Sequence, residues 1–365
     1  MQIVEILKVL EELAPPVLQE GYDNAGLITG NAAWECTGVL CTLDSTEDVI
    51  SEAIRKNCNL VVSHHPIVFS GLKKITPSGY VQRTVIQAIK HDIAIYAIHT
   101  NLDNKLDGVN DRIAEQIGLV KRRVLDPRPG TLKKLVCFVP VDFASKVRDA
   151  IFTAGAGGIG HYDECSFNTS GVGTFRPLEG ANPFTGTTGK RQEEPELKLE
   201  MVYPAAFEKR IVAAMRTAHP YEEVAFDLLP LANPHPGIGA GIVGELSPGM
   251  GEQEFLATLK ETFQTGVIRH SPLTGRPVQR VAVCGGAGSF LIPKALAGGV
   301  DFFVTADLKY HEFFDAEDRM VIADIGHFES EQYTTALLQE VLVRKFPTFA
   351  VLKTEVNTNP VRYFK

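Results

Sequence analysis

Apolar residues recur along this chain in two periods, and their alternation predicts most of its elements. "MQIVEILKVLEELAPP" spaces apolar positions three and four apart, the signature of an amphipathic helix. The polar, glycine-rich "EGYDNAGLITG" follows, and then "GVLCTLD" at 38–44, short and apolar enough to be a buried strand. "STEDVISEAIRKN" reads as a helix with Ser45 or Thr46 as its N-cap and acids in the first turn. Next come the strand "LVVSHH", a helix over 80–91, a strand over 92–98 and a helix near 109–118. Strands alternating with helices imply parallel pairing in an α/β layer architecture.

Much the same order returns after residue 237. "RVAVCGGAGSF" is a strand and glycine turn, "LIPKALAGG" a helix, "DFFVTAD" a strand, "LKYHEFFDAE" a short helix, and "RMVIADIGHFESE" a strand opening into the last long helix. "NLVVSHH" matches "DFFVTAD", and "IAIYAIHTNLD" matches "MVIADIGHFESE", so the core reads as a duplicated βαβαβ unit with halves at 1–128 and 237–365. The stretch 131–236 differs: strand and helix, then strand, helix and strand. With "GHYDECSFNTSGVGTFRPLEG" as a middle hairpin and 179–195 as an exposed loop, it fits a ferredoxin-like α+β domain inserted into a surface loop.

Composition narrows the function classes. At 365 residues the chain suits two or three domains, and 44% hydrophobic with 22% charged residues is ordinary for a globular protein. A formal charge of −8 argues against nucleic acid as a partner, because phosphate binding needs clustered Lys and Arg. The basic run Lys121 to Arg123 is short enough to be a solvated face. Six scattered cysteines without a Cys-x-x-Cys pair indicate neither a zinc ribbon nor a disulfide framework, and read as reduced, mostly buried thiols. No run approaches the roughly 20 apolar residues of a membrane span, and the expectation is a cytoplasmic protein with no membrane partner.

The chemistry gathers where strands stop. The apolar run from Leu60 ends at His64, His65 and Pro66. Successive strand residues face opposite ways, so two imidazoles serving one site need the strand to have ended. Pro66 enforces the break, and the pair is expected on a rim. His99 and Asp103 follow another strand, and His327 and Glu331 stand four apart where a helix begins, on one face. Parallel sheets place ligand sites beyond the carboxyl ends of strands, so these termini can converge. The donors suit zinc, iron, manganese or nickel better than calcium. Six groups are too many for one structural zinc and enough for two divalent ions sharing a carboxylate. His99 reads as a support for ligands or as packing. His311 and Glu312 either contact substrate or cover a helix face. The "GGAGSF" glycines read as a tight turn sooner than a phosphate cradle, and His219, Tyr221 and His235 as structural.

"YDNAGL", "SHHP", "IHTNLD", "GGAGSF", "TADLKYHE" and "GHFESE" together resemble the NIF-three-like proteins, often labelled GTP cyclohydrolase I type 2 homologues. The resemblance covers both core halves, and the insert is similar to the PII or CutA-like domain of the longer bacterial members. "TADLKYHE" departs from the more usual Thr-Gly-Asp reading with a further histidine near its end. The resemblance implies a dinuclear centre in which His64, His327 and Glu331 hold one ion, and His65, Asp103 and Glu331 the other. It implies a toroidal homohexamer whose metal centres face an inner cavity. The activity implied is metal-dependent hydrolysis of a small nucleotide-like molecule such as GTP, with Asp103 or His99 managing the proton. The alternative is a non-enzymatic metal-binding or regulatory assembly with a ligand-sensing insert.

Overall fold

In the computed structural model, which describes residues 1–364, the first helix is α1 (Ile3–Leu13). It buries Ile3, Ile6, Leu7 and Leu10, and the Gln2 amide donates to Glu5 Oε1 at 3.0 Å across its first turn. Then come β1 (Gly26–Thr29), β2 (Val39–Thr42), α2 (Glu47–Arg55), β3 (Leu60–Ser63), α3 (Tyr80–Lys90), β4 (Ala94–Ala97), α4 (Thr100–Asp103), α5 (Val109–Gln116) and β5 (Val120–Pro127). Thr46 is the residue that caps α2, accepting the Val49 amide at 3.3 Å.

Residues 128–235 form a compact unit of their own. It contains β6 (Leu132–Pro140), α6 (Ala144–Thr153), β7 (Phe167–Phe175), β8 (Gln192–Pro204), α7 (Glu208–Ala218) and β9 (Phe226–Pro230). Its sheet is antiparallel in the order β7-β8-β6-β9. The segment expected to be a self-contained hairpin supplies only β7, whose partner is β8. Residues 192–195 of the expected loop belong to β8, where Pro195 pairs with Val172.

The chain then adds β10 (Gly239–Met250), α8 (Glu252–Thr262), β11 (Arg269–His270), β12 (Val278–Ala287), α9 (Ile292–Ala297), β13 (Phe302–Ala306), β14 (Val321–Asp324), α10 (His327–Glu331), α11 (Thr334–Lys345) and β15 (Val351–Lys353). With residues 1–127 these elements form the other compact unit. It holds two sheets, β1-β4-β3-β2-β15 and β11-β14-β13-β12-β10-β5. Four neighbouring strands run parallel in the first, β4-β3-β2-β15, and three in the second, β14-β13-β12. Each also borrows from the other stretch of chain: β15 pairs with β2, and β5 with β10.

All four residues of β2, β3, β4 and β14 are buried, as strands covered on both faces require. Phe255 meets Phe302 edge-on at 4.9 Å in this core, where truncating Phe302 to Ala costs about 3–5 kcal/mol. No helix among the described residues is long and apolar enough to cross a membrane. The described cysteines form no disulfides, and all but Cys165 are buried.

Candidate metal centre

β3 ends at Ser63, but the backbone does not leave the sheet there. The His64 and His65 amides donate to Thr42 O and Leu43 O, at 3.2 and 2.9 Å. His64 is fully buried and only His65 reaches partly toward solvent, which corrects the expected rim position. His99 follows β4, and Asp103 closes the short α4. From the other sheet, α10 brings His327 and the buried Glu331 after β14.

Each imidazole is held from behind. His64 Nδ1 donates to Ile98 O at 2.8 Å, His65 Nδ1 to Asp44 Oδ1 at 2.8 Å, His99 Nδ1 to Asp23 Oδ1 at 2.7 Å and His327 Nδ1 to Asp307 Oδ2 at 2.7 Å. A carbonyl or an ionised carboxylate can only accept, so every Nδ1 carries the hydrogen. Fixing the ring and its tautomer from behind is the usual support of a metal-ligating histidine.

In front, the donors fall into overlapping groups, each gathered within 4.8 Å: His64 with Asp103 and Glu331, His65 with His327 and Glu331, and His64 with His65 and His99. His65 Nε2 and His327 Nε2 each lie 3.0 Å from Glu331 Oε2, and 3.3 Å from each other. His64 Nε2 lies 3.6 Å from Asp103 Oδ1 and 3.9 Å from Glu331 Oε1. In this arrangement Asp103 faces His64, and His327 faces His65. Glu331 stands between the groups.

The electrostatics call for positive charge. Burial holds His64 neutral, its pKa down at about 3. Burial also opposes charge on His65 and His327, but Asp44 and Glu331 lift the first to about 9, and Glu331 and Asp307 lift the second to about 11. Burial, then the Glu331 charge, push Asp103 well above the usual carboxylate range. Burial works against ionised Glu331 too, but His327 and His65 outweigh it and keep it ionised. The pocket attracts cations, and a metal ion has the sign it asks for.

Two buried atoms test the fit. His64 Nε2 and Asp103 Oδ1 find no hydrogen-bond partner among the described residues, although unpaired buried polar atoms are costly. With Nδ1 protonated, Nε2 turns a lone pair toward a carboxylate oxygen, an arrangement that a cation satisfies. Cys284 lies close by, but burial raises its thiol pKa, so it keeps its proton and is a poor ligand.

The glycine turn makes room for ligands and leaves little for a phosphate. A Cβ at Gly286 (φ +59°) would lie 2.6 Å from Glu331 Oε1, and one at Gly285 would lie 3.0 Å from Glu331 Cγ. The Gly285 amide donates to Asn110 Oδ1 at 2.8 Å and the Gly286 amide to Ser330 Oγ at 3.0 Å, so neither points at an anion. Glu312 accepts the Lys309 amide at 2.7 Å, and neither it nor His311 joins the cluster. In the 128–235 unit, His219 donates to Phe138 O at 3.0 Å, Tyr221 to Glu196 Oε1 at 3.0 Å and the His235 amide to Thr131 Oγ1 at 2.9 Å.

Sequence reasoning missed Asp23, Asp44 and Asp307, the carboxylates behind three of the rings. The signal was present: Asp44 and Asp307 follow the apolar runs of β2 and β13, and Asp23 sits in "YDNAGL". Exposed Phe69 and Tyr22 extend an aromatic surface from the ring of His99, with centroids 6.2 Å apart from His99 to Phe69 and 6.3 Å from Phe69 to Tyr22.

Fold and donors together define a mixed α/β chain whose strand ends gather side chains able to hold a metal ion. The chain belongs to the Duf34/NIF3 (NGG1p interacting factor 3) family, whose model matches residues 1–360. It is 37% identical to the "GTP cyclohydrolase 1 type 2 homolog" of Bacillus subtilis (strain 168), over 98% of both chains. It is 39% identical to the protein of the same description from Halalkalibacterium halodurans, again over 98% of both. The crystal structure of a Bacillus cereus protein related to NIF3 superposes with a TM-score of 0.88 at 36% identity, covering 100% of this chain and 99% of that one.

Proposed function

We propose that this chain is a dinuclear metal-binding protein that hydrolyses a small nucleotide-like substrate. The observation that carries the reading is the ring orientation: four imidazoles commit Nδ1 to acceptors and so turn Nε2 to the site that Asp103 and Glu331 share, where His64 offers a lone pair and His65 and His327 offer one when a metal ion displaces their protons. Contact favours His64, Asp103 and Glu331 around one divalent ion, and His65, His327 and Glu331 around the other. Zinc, iron, manganese and nickel all accept such donors. Two ions sharing a carboxylate supply Lewis acidity and lower the pKa of a coordinated water. His99, its Nδ1 hydrogen held by Asp23, is oriented to take a proton at Nε2. Phe69 and Tyr22 offer a surface on which a base can stack, and the relatives' description as cyclohydrolase homologues supports a nucleotide.

The same reading takes the βαβ core as duplicated and the 128–235 unit, from its strand order, as a ferredoxin-like insert. It takes the assembly, on the resemblance alone, as a ring of six, for which light scattering is the test. Elemental analysis and turnover of the metal-loaded protein against nucleotides and phosphoesters, beside Glu331→Ala, test the function. Hydrolysis that disappears with the metal supports it. Bound metal without turnover of any of them favours the regulatory alternative, and a protein that takes up no metal removes both.

A further inference from the structure

The 128–235 unit holds a cavity of about 590 Å³, well within the size range of small-molecule sites. Its floor is the face of the sheet turned away from the helices. Leu135, Cys137 and Val139 of β6 and Leu199 and Met201 of β8 pack with Val147, Ile151, Ile211 and Met215 of α6 and α7. Side chains alternate along a strand, so Phe138, Glu196 and Lys198 stand on the opposite face. Phe175, Phe184 and Tyr221 line the walls, with Tyr221 6.1 Å from each of the other two rings.

Two independent features point to a ligand. Glu196 is a carboxylate only 8% exposed in a largely apolar setting. Its Oε1 accepts the Tyr221 hydroxyl at 3.0 Å, and its Oε2 accepts nothing from the described residues. A carboxylate oxygen without a donor beside the cavity can accept a hydrogen bond from a ligand. The second feature is the floor beside it. β7 carries Gly171 and Gly173, and glycine in a strand interior commonly marks a close approach. A Cβ at Gly173 would lie 2.2 Å from Glu196 Oε2, so the glycine admits the carboxylate; a Cβ at Gly171, directly opposite Glu196, would meet nothing within 4 Å. Bare backbone thus lies next to a carboxylate oxygen that no described residue donates to.

The walls are fixed. Thr185 Oγ1 donates to Glu194 Oε2 at 3.1 Å and the Asn182 amide to Glu222 Oε1 at 2.8 Å, tying the 176–191 loop across the opening. Of the cations at the cavity, Lys198 lies 3.4 Å from Glu200, and Arg176 is exposed.

We propose that this cavity binds a small, flat aromatic cation of the aryl-amidine type. Its ring lies on the glycine floor among Phe175, Phe184 and Tyr221, and its N–H groups donate to Glu196 Oε2. Aromatic faces favour cations, and charge-assisted hydrogen bonds to a carboxylate are the strong ones. The proposal does not depend on the metal reading. The probe is benzamidine, titrated into the full-length protein by calorimetry and ligand-observed NMR beside benzoate and benzyl alcohol. Benzamidine is expected to bind on the order of tenfold more tightly than either. Glu196→Gln should remove that preference without changing metal content, and Gly171→Leu, whose side chain enters open space, should weaken benzamidine strongly. If Glu196→Gln does not fold, Gly171→Leu carries the test. Equal affinity for the three compounds, no benzamidine binding at millimolar concentration, a preference that persists in Glu196→Gln, or unchanged benzamidine affinity in Gly171→Leu would overturn the proposal.

Discussion

After β4 the chain reads His99-x-x-x-Asp103, and after β14 it reads His327-x-x-x-Glu331. Both stretches form a short helix, yet only the second pair closes on itself. His327 Nε2 lies 3.0 Å from Glu331 Oε2, and Glu331 also reaches His65 at 3.0 Å. His99 gathers with His64 and His65 instead, and Asp103 faces His64 at 3.6 Å. One methylene separates the two acids, and it decides their reach: the longer, buried side chain spans both imidazole groups, while the shorter serves one. Similar spelling at corresponding strand ends has produced one acid that contacts both imidazole groups and one that contacts a single group.

The largest effect that can break this comparison is on metal content. Glu331→Ala is expected to lose all bound metal, whereas Asp103→Ala should lose only the share held with His64. Glu331→Asp sharpens the point, because removing one methylene should withdraw the bridge and lower metal content more than Asp103→Ala does. Elemental analysis of protein purified without chelators reads all three. Metal retained in Glu331→Ala at the partial level of Asp103→Ala would show that Glu331 does not bridge.

The histidines should divide in the same way. His327→Ala is expected to lose about half of the metal, as one partner of a group that His65 and Glu331 complete. His99→Ala should retain its metal and lower turnover by roughly 10²–10⁴-fold, as removal of a general base does. Metal loss from His99→Ala equal to that from His327→Ala would make the two corners equivalent.

A smaller effect comes from the carboxylates behind the rings. Asp307→Asn and Asp44→Asn still accept a hydrogen bond through oxygen but remove the charge that raises ligand basicity. Losing such support typically costs ten- to a hundredfold in metal affinity. Asp23→Asn, behind His99, should leave metal affinity unchanged and lower only turnover. Competition with a chromogenic chelator measures the first quantity and initial rates the second; a weakened affinity in Asp23→Asn would place His99 among the ligands.

How far the chain discloses this in advance depends on the range of the interactions. The double histidine was legible because imidazoles interrupt an apolar run at Ser63, and His327 with Glu331 because their spacing matches a helix turn. Which imidazole meets which acid was not legible, since it depends on how two sheets built from distant segments approach. The exchange of β15 and β5 between the sheets has the same cause. β5, "VKRRVLDP", has an exposed, charged first half that hides its strand period. β7 carries two glycines where side chains would have marked the alternation, so its segment read as a whole hairpin, and β8 opens on charged residues and Pro195, so its first four residues passed for loop.

The comparison extends to two buried glutamates away from the centre, where the smallest effect is expected. Glu52 on α2 accepts the Glu355 amide at 3.0 Å and the Thr354 hydroxyl, fastening the segment after β15. Glu252 on α8 accepts the Thr274 amide and hydroxyl, both at 2.8 Å, and the Gly275 amide at 2.9 Å. Burial opposes both charges, yet the hydrogen bonds prevail and hold each carboxyl below its ordinary pKa, with Lys56 helping Glu52. A folded-state pKa below the unfolded value contributes stability that is present above the unfolded value, about 4.3, and lost as pH falls through the folded one. Glu252→Gln and Glu52→Gln are therefore expected to cost about 1–2 kcal/mol each at pH 7, the scale of hydrogen bonds to a charged group. Their deficits against the unaltered chain should shrink as the pH drops below about 4.3. Glu52 should show the larger dependence on salt, because the Lys56 ammonium 2.8 Å away contributes an ion pair that Glu252 lacks. Denaturant melts at neutral and acidic pH, at low and high salt, measure each part; deficits that do not change with pH would show that geometry rather than charge fastens these segments.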